Sequence, residues 1–168
     1  MFKFLRENIY MSFALLVLRL YLGYEWLTAG WGKITGEGFS PAGFVKKAVE
    51  NPVISHDEIV YPTYTAFLKN FVQPNMGLFD FLIPWGEFFI GLGLILGTLT
   101  TAAMFFGVFM NFMFMFAGTV SSNPWMILLG FIVLVGGANS GKWGLDRWIL
   151  PYFKQFFNNT IKKKSVTA

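Results

Sequence analysis

The sequence predicts an all-α fold: an integral membrane four-helix bundle, with a long external loop carrying short amphipathic helices between helices 1 and 2. Three observations predict it. Of 168 residues, 55% are hydrophobic and only 13% charged, against about 25% charged in an ordinary soluble domain. Aromatics reach 20%, with 21 phenylalanines. A soluble fold of this size has too little interior to hide that much apolar surface, whereas a bundle facing lipid need not hide it. Finally, four separate stretches are apolar enough and long enough to span a bilayer.

The first span is expected over residues 9–31, with Arg19 and Glu25 inside it. It follows Lys3 and Arg6 but is too long for a signal peptide and ends in bulky Trp31, so it reads as a retained helix. The second span is expected over 79–97 with Glu87, and the third over 101–120 with Asn111. The fourth is expected over 124–138, where Asn123 suits the N-cap and Pro124 the first helical position. The links between the last three spans are a few residues long, which makes these helices antiparallel neighbours. The external loop covers 32–78. Ser40-Pro41 can start a first amphipathic helix, with Phe44/Ala48 and Val45/Val49 at i,i+4; Phe67/Phe71 and Leu68/Val72 mark a second. Both are expected to lie on the bilayer surface. Residues 139–168 form a cytoplasmic tail, and the whole chain is one domain.

Orientation follows from the basic residues. Lys3, Arg6, Lys142, Arg147, Lys154 and Lys162 to Lys164 fall on one side. Lys33, Lys46, Lys47 and Lys69 fall on the other, diluted by Glu37, Glu50, Asp57 and Glu58. The positive-inside rule then puts both termini in the cytoplasm of a multi-pass plasma-membrane protein. Trp31, Trp85 and Trp125 fall at outer ends, and Trp143, Trp148 and Tyr152 at the inner end, as interfacial aromatics do.

Composition also excludes functions. With no cysteine, the chain forms no disulfide and supplies no iron–sulfur ligand. Its one histidine, His56, lies in a polar loop, so no bis-histidine haem site exists within one chain. No metal or haem ligand set is evident. The net charge of +4 comes mainly from the termini and is explained by topology, not by nucleic acid.

Three charged residues within the spans need a reason, since each costs at least ~2.5–3.5 kcal/mol on the insertion scale. At 1.5 Å per residue, Glu25 lies roughly 9 Å and Glu87 about 12 Å from their outer ends, a similar depth. Arg19 lies about 15 Å from the cytoplasmic start of its span, near the level of Asn111. Arg19, Gly23, Trp26 and Gly30 share one helix face. Gly91, the Gly93/Gly97 pair, Gly107, Gly118, Gly130 and Gly137 are expected to let helices approach closely. One reading of the charges is a buried ion pair that fixes helix register. The other notes that one arginine faces two glutamates, so one carboxyl should be able to take up and release a proton. A proton-handling carboxyl beside an apolar, aromatic cavity suits quinone chemistry. The run Asn111 to Phe116 is read either as packing or as a wall for a quinone ring, and Lys33 either as an anchor reaching the interface or as an attractor of anions. The candidate proton-handling residues are therefore Glu87, Glu25 and Arg19. The candidate substrate or quinone contacts are Trp26, Lys33, Trp85, Asn111 and Met115.

Three motifs resemble a known family. Arg19-Leu20-x-Leu22-Gly23-x-x-Trp26-Leu27-x-x-Gly30-Trp31-x-Lys33 resembles the first helix of the DoxX/DoxD membrane family. Pro84-Trp85-Gly86-Glu87, followed by Gly91 to Gly97, resembles its second, and Gly141-Lys142-Trp143-Gly144-Leu145-Asp146 its C-terminal motif. The resemblance implies a four-helix bundle and a role like the membrane subunit of thiosulfate:quinone oxidoreductase, with quinone as cofactor. The expected function is thus a membrane subunit passing electrons from thiosulfate or another small reductant to quinone. The alternative is a non-enzymatic membrane scaffold that recruits a soluble redox enzyme. The expected partners are the lipid bilayer, a soluble or second membrane redox subunit, and a second copy of the chain.

Overall fold

A computed structural model describes residues 2–36, 40–153 and 155, so Glu37, Lys154 and the basic tail at 162–164 lie outside the described residues. The chain is mostly helical. A short α1 (Phe2–Glu7) leads into α2 (Ile9–Thr35), capped by Asn8, whose side chain accepts from the Tyr10 and Met11 amides. After α3 (Pro41–Glu50) comes a two-residue-per-strand hairpin, β1 (Ile54–Ser55) and β2 (Glu58–Ile59). His56 and Asp57 turn it, both at positive φ. Then follow α4 (Pro62–Phe67), α5 (Met76–Leu96), α6 (Thr100–Phe116) and α7 (Asn123–Gly136).

The segment between α2 and α5 departs from the expected external loop. Helix α2 runs on to Thr35 instead of ending near Trp31. The first amphipathic helix starts where expected, with the Gly43 amide donating to Ser40 Oγ at 3.1 Å. The second is not separate. From α4 the chain passes through a π-helical stretch, Leu68–Val72, and a 3-10 turn containing Pro74 straight into α5. This run, Pro62–Leu96, has 35 residues, and its most apolar 18-residue window has mean hydropathy 1.6. It is the one helix among the described residues both long and apolar enough to cross a membrane by itself. Helices α6 and α7 are equally apolar but span 17 and 14 residues; α2 has 27 but is interrupted by Arg19, Glu25 and Lys33. Asn123 does not cap α7. It is the first helical residue, and its Nδ2 donates to Thr119 O at 2.8 Å, closing the α6–α7 turn.

Helix α2 packs antiparallel along α5, α5 on α6, α6 on α7, and α7 back on α2. The α2–α5 contact is the closest, because glycine makes it so. A Cβ at Gly91 would strike the Leu27 backbone, and one at Gly30 the Phe88 backbone. These contacts fix the register: Arg19 lies beside Gly97, Gly23 beside Leu94 and Ile95, and Gly30 beside Phe88. Gly118 and Gly137 do not serve close packing, as expected of them; both have positive φ and end α6 and α7. The main core joins Leu22, Trp26, Ile90, Leu94, Met104, Val108 and Val133. A second, smaller core under the cap joins Val45 and Ala48 of α3 to Leu68 and Val72. Tyr64 pins the cap to α6, its hydroxyl donating to Met113 O at 2.9 Å. The outward faces keep large apolar side chains, among them Phe13, Val17, Phe81, Phe89, Phe105, Phe106 and Leu128, a surface that needs an apolar medium or partner.

The opposite end is tied by hydrogen bonds. Asn139 Nδ2 donates to the carbonyls of Leu5 and Asn8, and Trp143 Nε1 to Ser12 Oγ at 2.9 Å. The start of α2 and the segment after α7 therefore sit at one end of the molecule.

Candidate functional site

Toward the hairpin end, α2, α5, α6 and the start of α7 enclose a cavity of 330 Å³. Its polar lining comes from Glu25, Trp26, Lys33, Glu87 and Asn111, with Phe114 and Met126 among its apolar walls. Glu87 and Lys33 form an ion pair in which Lys33 Nζ donates to both carboxylate oxygens. Glu87 is 1% exposed, and the Lys33 side chain 22%. The extra turn of α2 creates this pair: Lys33 sits in its last turn, where a cation also suits the helix dipole. Lys33 Nζ lies 5.4 Å from the centroid of the Phe114 ring, within cation–π range.

Two buried polar groups on the chamber wall lack a protein partner among the described residues. Both side-chain atoms of Asn111 are unbonded, as is Trp26 Nε1. Asn111 is 1% exposed and Trp26 3%. A buried donor or acceptor left unsatisfied costs about 1–3 kcal/mol; the Asn111 amide bears that cost on the chamber wall, while the Trp26 indole nitrogen lies against Gly107 of α6. The mouth is polar and exposed: Thr119, Ser121 and Ser122 line it from the α6–α7 turn.

Five of the eight residues singled out from sequence meet here: Glu25, Trp26, Lys33, Glu87 and Asn111. Three do not. Trp85 stacks outside the chamber in a row with Phe81, Phe88 and Phe89. Met115 packs on the main core. Arg19 lies at the far end, buried against Gly97 and Gly144, and the carboxylate that acts on it is Asp146. The expected pairing of Arg19 with the two glutamates is not formed: Glu87 pairs with Lys33, and Arg19, under the influence of Asp146, keeps Nε and Nη1 without a hydrogen-bond partner among the described residues. The depth reasoning placed Arg19 too near Asn111, and Glu25 level with Glu87. In the actual register Glu87 stands level with Gly30, roughly 7 Å outward of Glu25 at 1.5 Å per residue. Sequence reasoning missed the chamber roles of Thr119, Ser121 and Ser122. Their signal was a polar triplet, Ser121 to Asn123, between two apolar helices, which reads as an ordinary turn.

Asp146 has its own task. Its carboxylate accepts from the Leu99 and Thr100 amides at 2.6 and 2.9 Å, and its amide donates to Gly97 O at 2.7 Å. It caps α6 from a distant part of the chain and holds the tight α5–α6 turn, in which Gly97 and Leu99 both have positive φ.

Comparison with curated proteins and with solved structures returned no match. The DoxX family model matches residues 14–121, from α2 to the α6–α7 turn, and so takes in Glu25, Trp26, Lys33, Glu87 and Asn111. That match spans more than half of the chain: this protein belongs to the DoxX family of membrane proteins.

Proposed function

We propose that the chain is the membrane subunit of a quinone-linked oxidoreductase, with the quinone ring held in the Glu87 chamber. The observation that carries this reading is the orphaned Asn111 amide beside the Lys33–Glu87 pair, with the Trp26 ring as part of the wall. Quinone carbonyls accept hydrogen bonds, which Asn111 Nδ2 and Lys33 can donate. Quinol hydroxyls donate them, which Asn111 Oδ1 and the carboxylates can accept. Reduction takes two electrons and two protons into the ring to give the quinol. Glu87 is the group placed to pass those protons, with Glu25 behind it.

The electrons come from a small reductant such as thiosulfate, oxidised on a partner subunit and not in the chamber. With Glu25, Glu87 and Lys33 ionised, the lining carries one excess negative charge, which repels a dianion in a low-dielectric site. In the membrane, α2, α5, α6 and α7 form a transmembrane four-helix bundle, with both termini cytoplasmic and the hairpin end outside.

The test is to purify the full chain from its native membrane in mild detergent and identify any extracted quinone. Wild type and Glu87→Gln are then compared in proteoliposomes for quinone reduction by thiosulfate, with the soluble fraction of the same cells added. Bound quinone, and a folded Glu87→Gln protein that keeps it but loses most turnover, are expected. A chain that binds no quinone overturns the reading in favour of a scaffold recruiting a soluble redox enzyme. A folded Glu87→Gln variant turning over at the wild-type rate removes Glu87 as proton carrier and leaves Glu25.

A further inference from the structure

A second, larger cavity lies against the chamber. It is an apolar groove of 710 Å³ between α5, α6 and the external cap. Two residues line both spaces: Phe44 of α3 and Phe114 of α6. Their rings meet edge to face with centroids 5.7 Å apart, and Phe114 is also held by Lys33. From Phe114 the groove follows one stripe of α6 through Met113, Met110, Phe106 and Ala103 to Leu99. Fifteen residues of helix make it about 22 Å long at 1.5 Å per residue. Gly86, Phe89 and Leu92 of α5 form the facing wall.

We propose that this groove holds the isoprenoid chain of a quinone whose ring sits in the chamber, and that the Phe44–Phe114 pair is the partition the chain passes. The inference rests on the quinone reading above and adds the substrate class: long-chain membrane quinones in place of water-soluble ones. A ring bound at Glu87 must send its side chain somewhere. The mouth at Thr119, Ser121 and Ser122 is polar and would put hydrocarbon into water, which costs ≈ 0.8 kcal/mol per CH₂. Past Phe44 and Phe114 lies a channel with an almost wholly apolar wall. Of its two polar side chains, Tyr64 and Thr98, the Tyr64 hydroxyl already donates to Met113 O. Aromatic partition, polar chamber and long apolar stripe together match an amphiphile with a flat polar ring and a long chain.

Two substitutions fill the groove without touching the chamber. Gly86 lines only the groove, and a Cβ there would meet Met110 Sδ at an ordinary 3.6 Å, so the side chain of Gly86→Leu starts without striking backbone. Ala102 is exposed at the groove's far end, so Ala102→Trp blocks it distally and keeps the fold if Gly86→Leu does not. Three benzoquinones sharing one ring serve as probes: one with no chain, one with a decyl chain and one with a tetraprenyl chain. Binding to the purified full chain in detergent is read by isothermal titration calorimetry, which needs no reporter residue in the chamber. Gly86→Leu is expected to weaken both chain-bearing probes by at least about tenfold and leave the chainless ring unchanged. Ala102→Trp is expected to weaken only the tetraprenyl probe. If folded variants bind all three probes as wild type does, the groove is not the chain's site, while ring binding still stands. If Gly86→Leu or Ala102→Trp instead changes the protein's oligomeric size, a second copy covers the groove and the proposal is wrong. If the chainless ring does not bind wild type at all, the quinone reading itself has failed.

Discussion

Lys33 and Glu87 show how unequal the two partners of one ion pair can be. Glu87 is 1% exposed, while the Lys33 side chain keeps 22% of its surface. Removing the lysine leaves a carboxylate deep among helices with no counter-charge. Removing the carboxylate leaves an ammonium that can turn toward solvent on its long stem. Breaking a buried pair by deleting one partner costs about 3–5 kcal/mol when the remaining charge cannot escape. Lys33→Met is therefore expected to destabilise the protein by about that amount, and Glu87→Gln by clearly less, measured by unfolding in detergent. Equal losses in the two variants would show that Glu87 is not the trapped member of the pair. The aromatic partner Phe114 adds a smaller hold on Lys33, about 0.5–2 kcal/mol depending on desolvation.

Among the elements, the pairing of α2 with α5 decides where the chamber residues meet. Glycines at Gly23, Gly30 and Gly91 bring the two backbones close enough that any side chain there would strike the neighbouring helix. Van der Waals packing of this kind holds helices together where lipid removes the hydrophobic drive. Backbone atoms cannot yield as a flexible side chain can, so Gly91→Val must push α5 away from α2. A loss at or above the ~1–3 kcal/mol typical of overpacking is expected. Gly77, on the same helix, is the control, because a Cβ there meets nothing within 4 Å. Gly77→Ala is expected to be neutral or to stabilise by up to about 1 kcal/mol through helix propensity. Thermal unfolding of the two variants side by side checks both, and a tolerated Gly91→Val would mean the helices are not held in this register. Pro84, inside α5 and facing Gly30, lies one turn before Glu87 and removes one backbone hydrogen bond there.

For the whole molecule, the ends are chemically distinct. One end gathers Arg6, Asn139, Trp143, Arg19 and Asp146, knitted by bonds between α1, α2, the α5–α6 turn and the segment after α7. The other carries α3, the hairpin and the chamber mouth. The proposed orientation places the first end in the cytoplasm, and the absence of native cysteine makes it simple to test. Ser55→Cys in the hairpin and Lys142→Cys after α7 are both at exposed positions. In intact cells an impermeant maleimide is expected to label the first and spare the second until the membrane is opened. The reverse pattern would invert the molecule and put the chamber mouth on the cytoplasmic side.

Much of this was legible in the residues. The apolar runs and scarce charges required helices in an apolar medium, because each backbone group must be bonded within its own segment there. Ser40-Pro41 marked the start of α3, since a hydroxyl cap and a ring locked at helical φ are local signals. Glu87, Glu25 and Asn111 stood out because polar groups in apolar helices need partners. What the sequence could not decide was who those partners are. Pairing depends on register: the glycines that let α2 and α5 approach were visible, but which residues of the other helix each would face was not. A shift of α2's end by one turn, from Trp31 to Thr35, turned Lys33 from an interfacial anchor into the partner of Glu87. The same register carried Arg19 away to Asp146, a residue 127 positions distant that only the folded chain brings near. The composition determined the medium and the helices; the tertiary structure alone decided which buried charges meet, because charge pairing acts over a few ångströms of space and not over sequence.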